Sequence, residues 1–449
     1  MDKILHQIMG KTPNEREFHQ AIQKFVESVR PVLERNPQYG DSAILQRITE
    51  PEVVTIFRVP WLDDRGKVQV NTGFRVGMNS AIGPYNGGLR FHPSVNLSIL
   101  KFLAFDQVFR NALTSMPLGG GKGGADFEPK GKSDGEVMRF CQAFMAALFR
   151  HIGQNTDITG GDIGVGARET GYLFGMYKKL RNEFTGIITG KNLAWGGSLM
   201  RPQATGYGVV YFAAEMLAQR NQSLDGKTCL ISGSGNVAQH TAEKILDLGG
   251  KVVTLSDSSG YIFDEEGIDP SKLAYVKRLK NIKRGRIEEY TEKYPRAVYT
   301  AIRPVSDHNP LWGHWADCAF PCAYQNEISE KDAYSLINNG IKLVCEGANM
   351  PCTPEAIEIF QDKRILFAPG KAANAGGSAV SCLEMAQNNI RLSWSREELD
   401  SRLRIIMNRI HETCLDVAKE YDVPGNYLVG ANIAGFIKVV EAMMDQGVV

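Results

Sequence analysis

Several features are missing from this chain of 449 residues, and each absence excludes a class of protein. No window of about 18 uninterrupted apolar residues exists, which argues against a transmembrane helix. The charges nearly cancel, with 51 Lys plus Arg against 50 Asp plus Glu, so the basic excess of a nucleic-acid-binding protein is lacking. The N-terminus has no long apolar stretch after a basic start and does not resemble a signal peptide. We therefore expect a cytoplasmic protein that binds neither nucleic acid nor membrane.

The cysteines argue in the same direction. There are eight, with no Cys-x-x-Cys pair and no histidine at ligand spacing, so the sequence predicts no metal site. Most lie in apolar runs and are expected to be reduced and buried. The remaining composition is that of a globular protein, 43% hydrophobic and 22% charged, with 46 glycines. At about 100–200 residues per domain, this length suggests two or three domains.

Strand-like and helix-like segments alternate along the chain, which predicts an α/β fold. After an expected helical start, two β-rich runs surround the turn Asp63–Gly66, and a helix is expected at about 94–115. A boundary is indicated near Arg201, followed by a helix from Val209 and a strand at 228–232. The last helices are expected at 395–421 and 433–444. We expect two domains, one of residues 1–200 completed by 426–449 and one of residues 201–425.

The segment 231–260, ISGSGNVAQHTAEKILDLGGKVVTLSDSSG, has the layout of a dinucleotide-binding fingerprint. A strand runs into Gly233 and Gly235, a helix follows, and a second strand reaches Asp257. Gly233 permits the tight turn, Gly235 lets the backbone approach a pyrophosphate, and the helix N-terminus offers N–H groups to its oxygens. The alternative is a structural glycine turn.

The choice between the two nicotinamide cofactors depends on the end of the second strand. Asp257 lies where an acidic residue would bind the ribose hydroxyls of NAD, but serines flank it. The basic run VKRLKNIKRGR at 276–286 offers cations for a 2′-phosphate, unless it is only a solvated helix face balanced by nearby glutamates. The sequence favours NADP over NAD.

Two glycine-rich segments carry candidate acid–base groups. MPLGGGKGGADFEP, at 116–129, places Lys122 among five glycines, where a tight, partly desolvated site lowers the pKa of a lysine. Its glycines are expected to let substrate and nicotinamide approach the backbone. A phosphate-binding loop is disfavoured because Gly123 follows the lysine. In DITGGDIGVGARETGYLFG, at 157–175, Asp162 is either a proton carrier or a helix cap.

The helix at 102–114 offers a carboxylate-binding pair. Gln107 and Arg110 are three residues apart and share a helix face, so together they can bind one carboxylate. The alternative is an exposed ion pair between Asp106 and Arg110, which spacing alone favours.

Together these motifs resemble the hexameric glutamate dehydrogenases of the microbial, NADP-using type, over essentially the whole chain. The residues that carry the resemblance are GPYNGGLRFHPSVNLSILKFLAFDQ (83–107), GGGKGG (119–124), GDIGVGARE (161–169), GGSLMRPQATGYG (196–208), SGSGNVA (232–238), EGANMP (346–351), GKAANAGG (370–377) and GANIAGF (430–436). The resemblance implies reversible oxidative deamination of L-glutamate to 2-oxoglutarate and ammonia. It also implies a homohexamer in which each chain has an α/β substrate and assembly domain and a Rossmann-like dinucleotide-binding domain.

The resemblance assigns roles by position. Lys122 is implied to polarise the 2-oxo group, and Asp162 to carry protons to and from ammonia. The implied substrate-binding residues are Asn86, Gly87, Gln107, Arg110, Gly161, Arg201, Ser378 and Ser381. The implied cofactor-binding residues are Thr205, Gly233, Gly235, Asn236, Val237, Asp257, Ser258, Lys280, Arg286, Asn349 and Asn374.

The chain departs from the family pattern around the substrate. Asn86 stands where the family has a lysine that binds the side-chain carboxylate of glutamate, and Arg110 replaces a lysine that binds the α-carboxylate. Gly160 and Ser378 replace bulkier residues, so the pocket is expected to be wider and less positive. Either Arg110 or Arg201 replaces the lost charge, or the side-chain specificity has shifted away from glutamate. A catalytically silent nucleotide-binding homologue is disfavoured because both Lys122 and Asp162 are present.

Overall fold

The chain forms two compact units. The computed structural model describes residues 2–302 and 308–449. Unit 1 comprises Met1–Arg201, Ser378–Leu399 and Asn432–Val449, and unit 2 comprises Pro202–Gly377 and Asp400–Ala431. The expected limits place the first boundary within one residue of this division. The expected limits place residues 378–399 in the second domain, whereas the structure places them in unit 1. In this segment Glu384 forms a buried ion pair with Lys191 of unit 1.

Unit 1 is built from helices around one main sheet. The helices that lie wholly within it are α1 (Asp2–Lys11), α2 (Arg16–Arg35), α3 (Pro37–Asp41), α4 (Ile44–Thr49), α5 (Leu97–Leu113), α6 (Asp134–Leu148), α7 (Ala167–Arg181) and a 3-10 turn, Leu193–Trp195. Its strands are β1 (Val53–Leu62), β2 (Val68–Asn79), β3 (Tyr85–Asn86), β4 (Leu89–Phe91), β5 (Gly120–Ala125) and β6 (Asp157–Ile158).

The main sheet of unit 1 has the strand order β1-β2-β5-β4, and β3 pairs separately with β6. β1 and β2 form the hairpin that the sequence predicts, antiparallel with Val53 opposite Gly77. β5 lies between β2 and the parallel strand β4, so its backbone is paired on both sides. Behind it, Phe91 packs edge-to-face on Phe140, which stacks on Phe127 with ring centroids 3.7 Å apart. This aromatic core fixes the two strands that carry the candidate site.

Unit 2 contains the predicted dinucleotide-binding segment. Its helices are α8 (Ala204–Ala218), α9 (Asn236–Asp247), α10 (Pro270–Arg278), α11 (Tyr290–Lys293), α12 (Glu330–Asn338), α13 (Pro354–Asp362) and α14 (Gly370–Ala373), with a π-helical turn at Leu279–Lys283 and 3-10 turns at Ile287–Glu289 and Pro310–Gly313. Its strands are β7 (Thr228–Ile231), β8 (Lys251–Val252), β9 (Thr254–Asp257), β10 (Gly260–Phe263), β11 (Val298–Ala301), β12 (Cys318–Phe320), β13 (Leu343–Cys345) and β14 (Leu366–Ala368).

A parallel sheet of order β14-β13-β12-β7-β8 forms the centre of unit 2. This is the α/β, Rossmann-like arrangement that the fingerprint predicts. The predicted second strand is interrupted, because β8 joins this sheet whereas β9 pairs antiparallel with β10 in a separate sheet. All eight cysteines lie within the described residues and are free thiols, and all but Cys382 are buried, as expected.

Three long helices complete the chain: α15 (Gly376–Ile390), α16 (Arg396–Glu420) and α17 (Tyr427–Gln446). α16 matches its expected bounds to one residue at each end, whereas α17 begins six residues before the expected start. Among the described residues, α17 is the one helix long and apolar enough to cross a membrane by length and composition. Because 56% of its apolar window is buried within the protein, and core helices meet the same criteria, this is weak evidence for a membrane span.

Candidate active site

Lys122 lies in the middle of β5, on the glycine-rich run Gly120–Ala125. The sequence predicts that these glycines admit a ligand to the backbone, and the structure corrects this interpretation. A Cβ on Gly124 would lie 2.1 Å from the carbonyl oxygen of Arg90, and one on Gly120 would lie 2.6 Å from the backbone nitrogen of Val108. The glycines are needed because a neighbouring strand and α5 pack directly on this strand.

The segment 85–91 brings Lys122 and Asp162 together. On one side the Gly123 amide donates to Gly88 O, and on the other the Leu89 amide donates to Gly160 O. Lys122 Nζ therefore lies 3.2 Å from Asp162 Oδ2, although the two residues are far apart in sequence. The same oxygen accepts a hydrogen bond of 2.9 Å from Arg90 Nε.

The surroundings of this pair shift the pKa values of Lys122 and Asp162 below their usual values. Burial lowers the pKa of Lys122 to about 8, because desolvation and the cations Arg90 and Arg110 outweigh the attraction of Asp162. Burial alone raises the pKa of Asp162, but Arg90 and Lys122 together hold it well below its usual value. Asp162 is therefore a carboxylate at neutral pH, whereas Lys122 titrates at a pH of about 8.

A second buried ion pair holds the loop beside Lys122. Arg75 Nε donates to Asp157 Oδ2 at 2.7 Å, and Arg75 Nη1 donates to Gly87 O at 2.9 Å. A Cβ on Gly87 would lie 1.8 Å from Gly121 O, so the loop packs directly on β5. Gly87, whose substrate-binding role stays a prediction, is thus held against the residue that precedes Lys122. Gly161 forms a bridge with Leu89 beside Asp162.

Within unit 1, the part of α15 that begins at Ser378 makes a row of polar contacts. Ser378 Oγ accepts 2.9 Å from Gln107 Nε2, and Ser381 Oγ lies 3.2 Å from Thr189 Oγ1. One turn further, Glu384 forms its 2.6 Å ion pair with Lys191. Of the predicted substrate residues, Ser378 and Ser381 therefore lie one turn apart on α15, and Gln107 of α5 contacts Ser378.

Two positions at which the chain departs from the family pattern, Gly160 and Asn86, are interpreted differently once their surroundings are known. A Cβ on Gly160 would lie 2.8 Å from Thr189 Oγ1, so the missing side chain does not widen a pocket because Thr189 already fills that space. Asn86 is 5% exposed, and its amide nitrogen lies 4.0 Å from Met385 Sδ on α15. The departure at Asn86 therefore leaves a neutral amide beside a thioether.

Two arginines remain as sources of positive charge. Arg110 forms the i,i+4 ion pair with Asp106 that the alternative interpretation of that helix predicts, but Arg110 is buried and not exposed as that interpretation expects. Arg201 Nε is buried without a hydrogen-bond partner among the described residues. Burial lowers the pKa of Arg201, and Glu384 opposes this effect. Glu384 raises the pKa of both Lys191 and Arg201, and of these two cations Lys191 forms an ion pair with it, at 2.6 Å.

In unit 2 the glycine-rich turn has the conformation that the fingerprint requires. Gly233 has φ +80°, in the left-handed region, and its amide donates 2.7 Å to Ser256 Oγ. Gly235 is the N-cap of α9, and a Cβ there would have no neighbour within 4 Å. Open space therefore lies beside the helix N-terminus, next to Asn236 and Val237, as an anionic ligand requires.

Asp257 does not present a free carboxylate to a ribose. Oδ1 accepts from the amide and hydroxyl of Ser259, and Oδ2 accepts 2.8 Å from Lys280 Nζ and 2.9 Å from the amide of Ile287. These contacts occupy both oxygens and orient Lys280. At the exposed edge, Arg286 Nη1 donates 2.9 Å to Ser258 Oγ. This hydroxyl and guanidinium form a better site for a phosphate than for neutral hydroxyls.

The remaining predicted cofactor residues lie elsewhere in unit 2. Asn374 Nδ2 donates 3.0 Å to Asn349 Oδ1, whereas Asn374 Oδ1 is buried without a hydrogen-bond partner among the described residues. This acceptor fits the carboxamide N–H of a nicotinamide. Asn236 Nδ2 donates 2.7 Å to Pro202 O, and Thr205 lies in the first turn of α8.

Among the side chains that build the site and that sequence reasoning missed are Arg90, Glu384 and Gln239. Arg90 stands between the core residues Leu89 and Phe91, so the period of a strand predicts that it points away from the core, towards Asp162. Glu384 is far from Lys191 in sequence, and no local pattern indicates their pairing. Gln239 follows the fingerprint and donates 2.7 Å to the Ser234 carbonyl.

Comparison with known proteins agrees with this arrangement. The family model of the glutamate/leucine/phenylalanine/valine dehydrogenases matches residues 196–447, which is more than half of the chain. The family model of the dimerisation domain of the Glu/Leu/Phe/Val dehydrogenases matches residues 51–179. The chain belongs to this family of amino-acid dehydrogenases. It is 56% identical over 447 residues to a glutamate dehydrogenase of Bacteroides thetaiotaomicron, covering 100% of this chain and 99% of that one.

Two further family members extend the likeness. An NADP-specific glutamate dehydrogenase of Giardia intestinalis is 55% identical over 450 residues, with 100% of this chain and 99% of that one covered. The crystal structure of Plasmodium falciparum glutamate dehydrogenase has a TM-score of 0.95 and 48% identity, covering 100% of this chain and 94% of that one. The family's two-domain architecture therefore extends along the whole chain.

Proposed function

We propose that the protein is an NADP-dependent glutamate dehydrogenase, which catalyses the reversible oxidative deamination of L-glutamate to 2-oxoglutarate and ammonia. The observation that carries the proposal is the buried pair of Lys122 and Asp162, 3.2 Å apart, on a chain of the amino-acid dehydrogenase family. A lysine with a pKa of about 8 beside a carboxylate that is ionised in the resting site suits a reaction in which protons move at a carbonyl and an amine.

In the reductive direction, Lys122 and Asp162 divide the proton transfers. Asp162, held as a carboxylate by Arg90, takes a proton from ammonium so that neutral ammonia adds to C2. Lys122 gives its proton to the 2-oxo oxygen as the carbon–nitrogen bond forms, and takes one back from the new amino group. The proton on Asp162 then leaves with the hydroxyl as water, giving an iminium carbon. The hydride that reduces this carbon is the chemistry that NADPH supplies when bound.

Unit 2 supplies the groups that fit this cofactor. The turn at Gly233 and the open N-terminus of α9 would hold the pyrophosphate, and Asn374 would hold the carboxamide. Ser258 and Arg286 would bind the 2′-phosphate, with Lys280 beside them. Asp257 has both oxygens occupied and would act as the anchor of Lys280 rather than as a ribose ligand.

Unit 1 supplies the groups for the substrate's two carboxylates. Gln107 and Arg110 lie three residues apart on α5, Arg110 is close enough to lower the pKa of Lys122, and the two side chains would bind the α-carboxylate. Because Asn86 carries no charge, we assign the side-chain carboxylate to Arg201, with Ser381 beside it on α15. The buried Arg201 Nε, which has no hydrogen-bond partner among the described residues, supports this assignment.

Replacing Arg201 with alanine tests the assignment. We expect kcat/KM for 2-oxoglutarate to fall about 100-fold, the effect of removing one partner of a buried charge pair. The value for 4-methyl-2-oxopentanoate, whose side chain is neutral, should change by less than about threefold, because no carboxylate is lost from that complex. Steady-state reductive amination with both acids, and with NADPH and NADH, measures these values.

Arg201→Lys is the matched control, because it keeps the charge and should recover part of the lost efficiency. Equal losses for both acids would show that Arg201 is structural. A wild-type enzyme that prefers the neutral acid would support the shifted specificity suggested by Asn86 and would contradict the proposed substrate. If the enzyme oxidises NADPH with none of the 2-oxo acids, the proposed activity is wrong and the protein is a catalytically silent homologue that binds nucleotide.

The protein is further proposed to act in the cytoplasm as a homohexamer. The outer face of the β1–β2 hairpin supports self-association, because it exposes the apolar side chains Val54, Ile56, Leu62, Val68 and Val70. Contiguous exposed apolar surface marks an interaction site, and β1 is an open sheet edge. The hairpin also lies in the part of the chain that matches the family's dimerisation-domain model.

A charge on the hairpin should break the assembly. Ile56→Lys is expected to reduce the mass measured by light scattering from that of a hexamer to that of a smaller species, since a desolvated lysine disfavours the contact. Ile405→Lys on α16 is the matched control, because both isoleucines are 56% exposed. An unchanged hexamer in Ile56→Lys would show that this face is not the interface.

A further inference from the structure

The side-chain amide of Gln239 links two parts of unit 2 that the proposed cofactor site uses. Gln239 is buried, and its Nε2 donates 2.7 Å to Ser234 O and 3.1 Å to Asn281 Oδ1. In return, Asn281 Nδ2 donates 2.9 Å to Gln239 Oε1. The two amides thus form a reciprocal pair, and one of them also holds the glycine-rich turn.

Each partner lies next to a proposed anion-binding group. Ser234 stands between Gly233 and Gly235, whose turn leads into the open N-terminus of α9. Asn281 lies on the π-helical turn Leu279–Lys283, immediately after Lys280. Short π-helical turns are uncommon and are found often at functional sites. The pair therefore fixes the basic segment relative to the pyrophosphate-binding turn.

We propose that Asn281 is a positioning residue that sets the preference for NADPH over NADH. The proposal rests on the proposed NADP-dependent function. Asn281 acts through Gln239 and holds the segment of Lys280 and Arg286 at the distance that separates the 2′-phosphate from the pyrophosphate. Preorganised sites bind more tightly because less motion is lost on binding. NADH does not use the 2′-phosphate site and is insensitive to its position.

The test is the affinity of the full-length enzyme for the two cofactors. Asn281→Ala should raise the Kd of NADPH about five- to tenfold, the range expected for losing hydrogen bonds that order a charged site. The Kd of NADH should change less than about twofold, since its contacts remain. Titration calorimetry with NADPH, NADH and adenosine 2′,5′-bisphosphate measures these values independently of turnover.

Two variants keep the result interpretable. Ile282→Ala is the matched control, because Ile282 is on the same π-helical turn and is 74% exposed, and it should change neither Kd. Exchanging the two amides, Gln239→Asn with Asn281→Gln, should restore at least half of the lost preference. Equal weakening of NADPH and NADH in Asn281→Ala, or an unchanged ratio, overturns the positioning role. A wild-type enzyme that does not prefer NADPH overturns the cofactor assignment itself.

Discussion

Lys122→Met is expected to lower kcat for reductive amination at least about 10³-fold, within the range of general acid–base catalysis. The methionine keeps the bulk but supplies neither the charge nor the proton that the carbonyl oxygen requires. The Kd of NADPH should remain within about twofold, because the proposed cofactor ligands lie in unit 2. Stopped-flow NADPH oxidation and fluorescence titration measure the two effects.

If Lys122 acts as a proton donor, the activity of the wild-type enzyme should fall as the pH rises. Because burial lowers the pKa of Lys122 to about 8, its ammonium form is lost as the pH rises through that value. The ammonium is the form that donates to the 2-oxo oxygen. kcat/KM for the 2-oxo acid should therefore be constant below about pH 8 and fall above it, in a profile measured at saturating NADPH.

Lys101→Met is the matched control for Lys122→Met. Lys101 is also buried, 6% exposed against 4% for Lys122, and also forms an ion pair, at 2.8 Å with Glu15. It should reduce stability, seen as a lower melting temperature, with kcat nearly unchanged. A Lys122→Met enzyme that retains a tenth of the wild-type kcat would contradict the catalytic assignment.

Asp162→Asn is expected to lower kcat about 10²- to 10⁴-fold, because the amide cannot accept the proton of ammonium. It should also shift the pH profile. Asp162 raises the pKa of Lys122, so without its charge burial and Arg90 lower that pKa below about 8. The fall in kcat/KM should therefore begin at lower pH than in the wild type.

The shift in the profile distinguishes a proton carrier beside Lys122 from a helix cap. Asp264→Asn is the control, since Asp264 is a buried carboxylate in unit 2 paired with Lys272 at 2.8 Å. It should affect stability and leave the profile unchanged. If Asp162→Asn has wild-type kcat, Lys122 acts without it and the proposed division of proton transfers is wrong.

The parts of the fold that local patterns encode could be predicted from the sequence. The hairpin follows from two β-rich runs around a turn, α16 from its helical periodicity, and the left-handed Gly233 from the spacing of the fingerprint. β5 could not be predicted, because glycine weakens the strand signal and the strand forms only when β2, β4 and α5 pack on it.

In the candidate site, too, local patterns could be predicted from the sequence and long-range contacts could not. Lys122 and Asp162 stand out because their glycine-rich surroundings are unusual for charged residues, and the structure places them 3.2 Å apart. The occupied oxygens of Asp257 and the space filled by Thr189 beside Gly160 are long-range contacts that leave no local pattern. The expected wider pocket at Gly160 is wrong for that reason.

The pairing of β5 on both sides has a consequence for how this chemistry can adapt. A lysine on a surface loop can be moved by insertions or by exchange of neighbouring residues. Here the Cα of Lys122 is fixed by two paired strands, and even a methyl group on Gly124 would collide with the Arg90 carbonyl. New substrate preferences must therefore evolve in the side chains around Lys122, as at Asn86, while the backbone beneath the lysine stays the same.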